Sequence, residues 1–192
     1  MAAISFRQTD TVADSGVNVG CSGATLGSIS PQAREILEGG TAGTTSINMY
    51  PQNATGVVLL TFQTDTGTSF PTIWAAGDYV VRLNVSSGRP GVTWVGTYMC
   101  ERTSGGTFNT VTSLTGQTTD MTTGVHSHTI NRPTDYTASS GSTLYIVLVF
   151  DGLTSGSDNF GVKPDQLIDT PISAGGGASS KPYYYNQLVQ GA

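Results

Sequence analysis

From Val57 onward, apolar and polar residues alternate in short runs that are separated by Gly-, Pro- and Asn-rich turns. Alternation with a period of two is the mark of a half-buried strand. Val57 to Phe62 is the first such run, bounded by Gly56 and the turn Asp65-Thr66-Gly67. In Asp78 to Ser86, Tyr79, Val81, Leu83 and Val85 fall on one face, with Arg82, Asn84 and Ser86 opposite. This predicts an antiparallel strand with one wet side. Beyond the turn Ser87-Gly88-Arg89-Pro90-Gly91, strict alternation places Val92, Trp94, Gly96, Tyr98 and Cys100 together, with Thr93, Thr97 and Glu101 on the other face. Ser104-Gly105-Gly106 leads into a weaker strand, Phe108 to Leu114, and a Thr-rich one follows over Met121 to Ile130. Leu144 to Phe150 is apolar on both faces and predicts a central strand, and Asn159 to Val162 closes the series before Pro164.

Two regions break this pattern. Ser30 to Gly39 carries the signals of a short helix: Ser30 as N-cap, Pro31 in the first turn and Gly39 as a stop. At the other end, Ala174 to Ser180 is a Gly-rich linker that leads to Lys181-Pro182-Tyr183-Tyr184-Tyr185-Asn186-Gln187-Leu188-Val189. Consecutive tyrosines behind a flexible spacer expose aromatic surface, which suits a docking peptide, although folding back onto the chain's own sheet is an equal alternative. The predicted organisation is an N-terminal arm with one short helix over 1–50, a β-sandwich core over 51–172, and the linker with its Tyr-rich docking tail over 173–192. The expected fold class is all-β: an antiparallel β-sandwich, jelly-roll-like, with an extended N-terminal arm and a C-terminal tail.

Composition narrows the function. Charged residues make up 11% of the 192-residue chain, against about 25% in an average soluble domain. Thr, Ser and 25 Gly take their place, and the net charge is −5. No Lys/Arg cluster is present, which argues against nucleic acid as a partner. No apolar stretch is long enough to span a membrane. The opening residues lack the pattern of a secretory signal, so synthesis in a cytoplasm is expected. On that basis Cys21 and Cys100 are expected to be buried free thiols.

Motifs for catalysis are sparse. There is no G-x-S-x-G elbow, phosphate loop or dinucleotide fingerprint. His126 and His128, the only histidines, sit two apart in Val125-His126-Ser127-His128-Thr129, so on a strand both point the same way and could hold a metal. Without an evident third ligand, two surface imidazoles are the expected reading. Asp151 to Asn159 resembles an acidic Ca²⁺ loop but departs from its spacing after the first Asp, and a turn explains it as well. Glu101 is the first suspect for a hydrolase carboxylate, with a strand-end surface residue as the expected reading. Trp74, Trp94, Tyr98 and Tyr136 could form a sugar-stacking platform, but core packing is expected for Trp94 with Tyr98 and for Trp74.

The segment Trp74 to Val85, then Val92-Thr93-Trp94 and Tyr98-Met99-Cys100, then Leu144 to Phe150 and the closing loop Phe160 to Pro171 resembles small β-sandwich structural proteins of tailed bacteriophages, of the head decoration (cement) type. The resemblance covers residues 70–172 and holds no catalytic motif. It implies a non-enzymatic virion protein, made in a host cytoplasm, that binds the major capsid protein and copies of itself, often as a trimer, without a cofactor. A tail or fibre component and a carbohydrate-binding module are the alternatives. Subunit contacts are then expected in the two ends that lie outside the resemblance, through Ile4 and Phe6 of the arm and Tyr183, Tyr184, Tyr185 and Leu188 of the tail.

Overall fold

The computed structural model describes residues 73–153, 160 and 161 in full, and residues 4–12, 25–26, 32–38, 47–49, 57–64, 162 and 167–170 as strand backbone. The strands are β1 (Ile4–Val12), β2 (Thr25–Leu26), β3 (Gln32–Glu38), β4 (Ile47–Met49), β5 (Val57–Thr64), β6 (Ile73–Trp74), β7 (Gly77–Ser87), β8 (Thr93–Arg102), β9 (Phe108–Leu114), β10 (Thr119–Asp120), β11 (Gly124–Arg132), β12 (Tyr136–Thr137), β13 (Thr143–Asp151), β14 (Phe160–Val162) and β15 (Leu167–Thr170). The described residues hold no helix and are all-β. One sheet runs β10-β8-β13-β5-β3-β1-β15-β7-β14-β4, with β9 on β8, β11 on β7 and β2 on β5; β6 and β12 pair separately. Pairing is antiparallel except where β2 and β3 run parallel to β5.

The predicted helix is a strand. Over Gln32–Glu38 the backbone pairs with β5 on one side and β1 on the other. Two turns of helix are marginal by themselves, whereas a strand between two neighbours satisfies its amides and carbonyls on both edges. Pro31 precedes the strand in the sequence, and a proline is tolerated at the start of a strand. Strands from the first fifty residues therefore belong to the same hydrogen-bonded sheet as the later ones. Ile4 lies opposite Thr170, and Phe6 opposite Ile168 and Glu38. Tyr183, Tyr184, Tyr185 and Leu188 lie outside the described residues.

The core confirms the two clearest patterns. In β7, Tyr79, Val81, Leu83 and Val85 are buried while Arg82, Asn84 and Ser86 are half-buried. β13 sits between β8 and β5 and is buried on both faces. Leu144, Ile146, Leu148 and Phe150 join the main core with β7, Ile130 of β11 and Phe160. Tyr145, Val147 and Val149 form a second cluster with Cys100 on the opposite face.

β8 departs from simple alternation. Opposite β13, Val149 pairs with Gly96 but Phe150 pairs with Trp94, so Val95 is an extra residue, a β-bulge. One inserted residue exchanges the two faces of everything beyond it. Trp94 and Met99 consequently share the main core, whereas Tyr98 and Cys100 belong to the second cluster. The expected common face for Trp94 and Tyr98 is thus corrected, and Thr97 and Glu101 are buried on the core side.

The turn between β7 and β8 leaves no room at Gly88. A Cβ there would collide with the backbone of Thr122 and Thr123, whose side-chain oxygen accepts the Gly88 amide at 3.0 Å. Backbone cannot rotate aside as a side-chain tip can. Gly88→Ala is therefore expected to cost about 2 kcal/mol or more in urea unfolding, and a loss below about 0.5 kcal/mol, the usual scale of a harmless surface change, would contradict this close approach.

Candidate functional site

The bulge brings Glu101, near the end of β8, into a buried polar cluster. Its Oε1 accepts from the Ser142 hydroxyl and the Ser139 amide, each at 2.5 Å. Its Oε2 accepts from the Tyr136 hydroxyl at 2.7 Å and Asn109 Nδ2 at 2.9 Å. β9 supplies Asn109, β12 supplies Tyr136, and the connection into β13 supplies the two serines. Burial pushes this carboxyl up, but the donors Ser142, Asn109, Tyr136 and the Ser139 amide outweigh it and hold the pKa at about 2. The same contact works in reverse on Tyr136, whose phenol is pushed up to about 12 by burial and by its hydrogen bond to the Glu101 carboxylate. Tyr136 also leans on Trp74, centroids 5.4 Å apart, and lies under the Arg132 guanidinium at 5.1 Å.

A second polar group lies where β11 meets β8. His128 stacks on Trp94 with centroids 3.6 Å apart and planes 17° from parallel. Its Nδ1 is 2.9 Å from Thr97 Oγ1, and its Nε2 is 3.1 Å from Thr119 Oγ1. A neutral imidazole donates through one nitrogen and accepts through the other, and rotating hydroxyls suit either tautomer. Burial pushes this histidine down to about 4, so the ring is neutral at neutral pH.

The sequence-based candidates fall as follows. His126 and His128 share the inward side of β11, as the spacing predicts, but His128 is buried rather than on the surface. Both of its nitrogens are engaged, and His126 donates from Nε2 to the Thr122 carbonyl at 2.7 Å. Among the described residues, no group of three His, Cys, Asp or Glu side chains is placed to hold a metal. Glu101 is neither a surface residue nor paired with a second carboxylate among its hydrogen-bond partners. Trp74 and Trp94 are fully buried, which removes them from a sugar-stacking platform. Most of the Asp151–Asn159 loop lies outside the described residues. Cys100 is disulfide-bonded, which corrects the expectation of a free thiol, an expectation that rested on synthesis in a cytoplasm and not on the surroundings of the residue. The chain's other cysteine, Cys21, lies outside the described residues. No helix of the described residues is long and apolar enough to cross a membrane. The His128 and Glu101 networks were hidden from sequence reasoning because both depend on the bulge at Val95; the only visible trace is polar Thr97 and Glu101 within an otherwise buried strand.

No family model and no curated protein matches this chain. Among solved structures it is similar to a CocE/NonD family hydrolase, SACOL2612, from Staphylococcus aureus, seen in two crystal structures. For one the TM-score is 0.46 at 11% identity, covering 72% of this chain. For the other it is 0.47 at 9% identity, covering 90%. This chain spans only about a third of the hydrolase's length, 34% and 37% in the two alignments. At these scores the likeness is weak and gives this chain no activity of its own. It nonetheless corrects the capsid-decoration function expected from the sequence, because these structural neighbours are hydrolases and neither is a phage or capsid protein.

Proposed function

We propose that this chain is a non-catalytic β module, a jelly-roll-like sandwich that acts by contact through uncharged strand faces, its first partner being a second copy of itself. Support for the sandwich comes from the inner faces of β7 and β11, which share one core with those of β8 and β13. The observation that carries the functional reading is that Glu101 and His128, the buried carboxyl and imidazole among the described residues, are fully engaged in internal hydrogen bonds. A general acid at neutral pH needs a pKa near the working pH. Glu101 at about 2 has no proton to give, and His128 at about 4 is buried behind Trp94.

The outward positions of β11 have the opposite character. Val125, Ser127, Thr129 and Asn131 are all exposed and uncharged, with Val125 at 65% exposure. Such a face buries without the desolvation penalty of ions. Sedimentation velocity over a wide concentration range tests the contact: reversible association is expected, weakened at least fivefold by Val125→Lys. A monomer at every concentration would overturn the self-contact. Chromogenic esters, amides and glycosides test the other half, with no turnover above buffer expected; turnover that disappears in Glu101→Gln or His128→Gln would establish an enzyme instead.

A further inference from the structure

Among the described residues, Arg132 is the buried cation, at 7% exposure. It ends β11 where that strand meets β9. There Thr112 Oγ1 donates to the Asn131 carbonyl at 3.1 Å, and Arg132 Nη1 reaches the Val111 carbonyl at 3.4 Å, a long bond. The guanidinium lies over the Tyr136 ring, 5.1 Å from its centroid, and its Nε is buried with no acceptor. Nε–H and the Nη2 amino group beside it form the side edge of the guanidinium, a fork that grips a planar carboxylate through two parallel hydrogen bonds. Among the described residues nothing accepts from that edge.

Two carboxylates of the same region are committed elsewhere. Asp135 acts with Arg132 on the Tyr79 phenol, but its Oδ1 accepts the Ala76 amide at 2.7 Å. Glu101 takes its four donors, the Tyr136 hydroxyl among them. A ring face and one stretched bond offset less than the cost of drying a cation, so the guanidinium is short of an anion held directly against it. Asn131, Pro133, Thr134 and Asp135, on either side of Arg132 in the chain, are all exposed. The group therefore sits at the margin of the fold, where a small ligand enters from solvent.

We propose that the side edge of Arg132 binds a small monocarboxylate, with the Tyr136 ring as one wall of the site and the Val111 carbonyl holding the guanidinium from its other side. The two oxygens of a carboxylate match the Nε and Nη2 hydrogens in one plane. A tetrahedral oxyanion needs more room than a group nine-tenths buried leaves beside it. Asp135 and Glu101 carry the same charge as the ligand, so binding is weak and a dianion is disfavoured further.

Thermal unfolding of the full chain in sodium acetate tests the site, with sodium chloride making up a constant ionic strength. The Tm is expected to rise and level off, by about 2–4 °C at about five times the half-saturating acetate concentration. Sulfate at the same ionic strength should raise it less. Arg132→Lys keeps the charge but loses the fork, and should lose the acetate response. A rise that never levels off, an equal rise in Arg132→Lys, or a larger one with sulfate would overturn the proposal. Should Arg132→Lys fail to fold, the wild-type protein decides alone. One arginine Nε–H signal in its ¹⁵N spectrum at neutral pH should shift saturably with acetate, and arginine signals that stay fixed would refute the site.

Discussion

Replacing Glu101 by leucine is expected to lower unfolding free energy by about 3–4 kcal/mol, as for other disrupted buried ionic groups. The carboxylate is the common acceptor for four donors drawn from three separate parts of the chain. Removing it strands donors, and a buried donor without a partner costs about 1–3 kcal/mol. The donors are not equal. Ser142 can still donate to the Ser139 carbonyl at 2.7 Å, and Asn109 and Ser139 belong to exposed residues that water can reach. The Tyr136 hydroxyl, beside Trp74 and under Arg132, has the poorest alternatives. Glu101→Gln should lose less, about 2 kcal/mol, because the amide oxygen still accepts while its NH2 faces donors. Tyr136→Phe, which removes one neutral donor to a charged acceptor, should lose about 1.5 kcal/mol. Urea unfolding at neutral pH measures all three. A loss below about 1 kcal/mol for Glu101→Leu, within the reach of an exposed ion pair, would mean that the network is solvated.

How much of this was readable in the sequence depends on whether the decisive interaction was local. The alternation in β7 and the two-sided apolar run of β13 are statements about single strands, and both are borne out residue by residue. The weak strand Phe108 to Leu114 has the predicted limits. β3 failed for the opposite reason. Ser30, Pro31 and Gly39 are real helix punctuation, but pairing with β5 and β1, remote in the chain, decides the outcome. β8 shows how one irregularity propagates: the extra Val95 leaves Trp94 where alternation puts it and moves Tyr98 away from it. It also turns Glu101 from an expected surface residue into the centre of a buried cluster. His128 was legible as facing the same way as His126, but its burial against Trp94 depends on β11 meeting β8, a strand it does not pair with, which no spacing encodes.

The protein is expected to lose stability steeply in mild acid, beginning with His128. Its pKa is about 4 in the folded chain against 6.5 for the unperturbed side chain, so between those values the unfolded state binds a proton that the native state refuses. The sign follows from linkage: where the unfolded state holds more protons, stability falls as pH falls. This contribution is fully present above 6.5 and is lost as the pH drops to about 4. At about 1.4 kcal/mol per pKa unit, the full swing is about 3 kcal/mol. Glu101 acts lower, with a folded pKa of about 2 against 4.5, so its contribution is intact above 4.5 and fades toward 2. The two windows overlap only narrowly, which makes them separable. In His128→Gln the loss between neutral pH and about 4.5 should largely vanish, while the steeper fall below it, where Glu101 protonates, remains. Glu101→Gln should do the reverse, leaving the upper limb and flattening the lower one. Urea-unfolding free energies measured from neutral pH to about 3 resolve both limbs, and wild-type and His128→Gln curves that run parallel above pH 4.5 would show that His128 is not held neutral by burial.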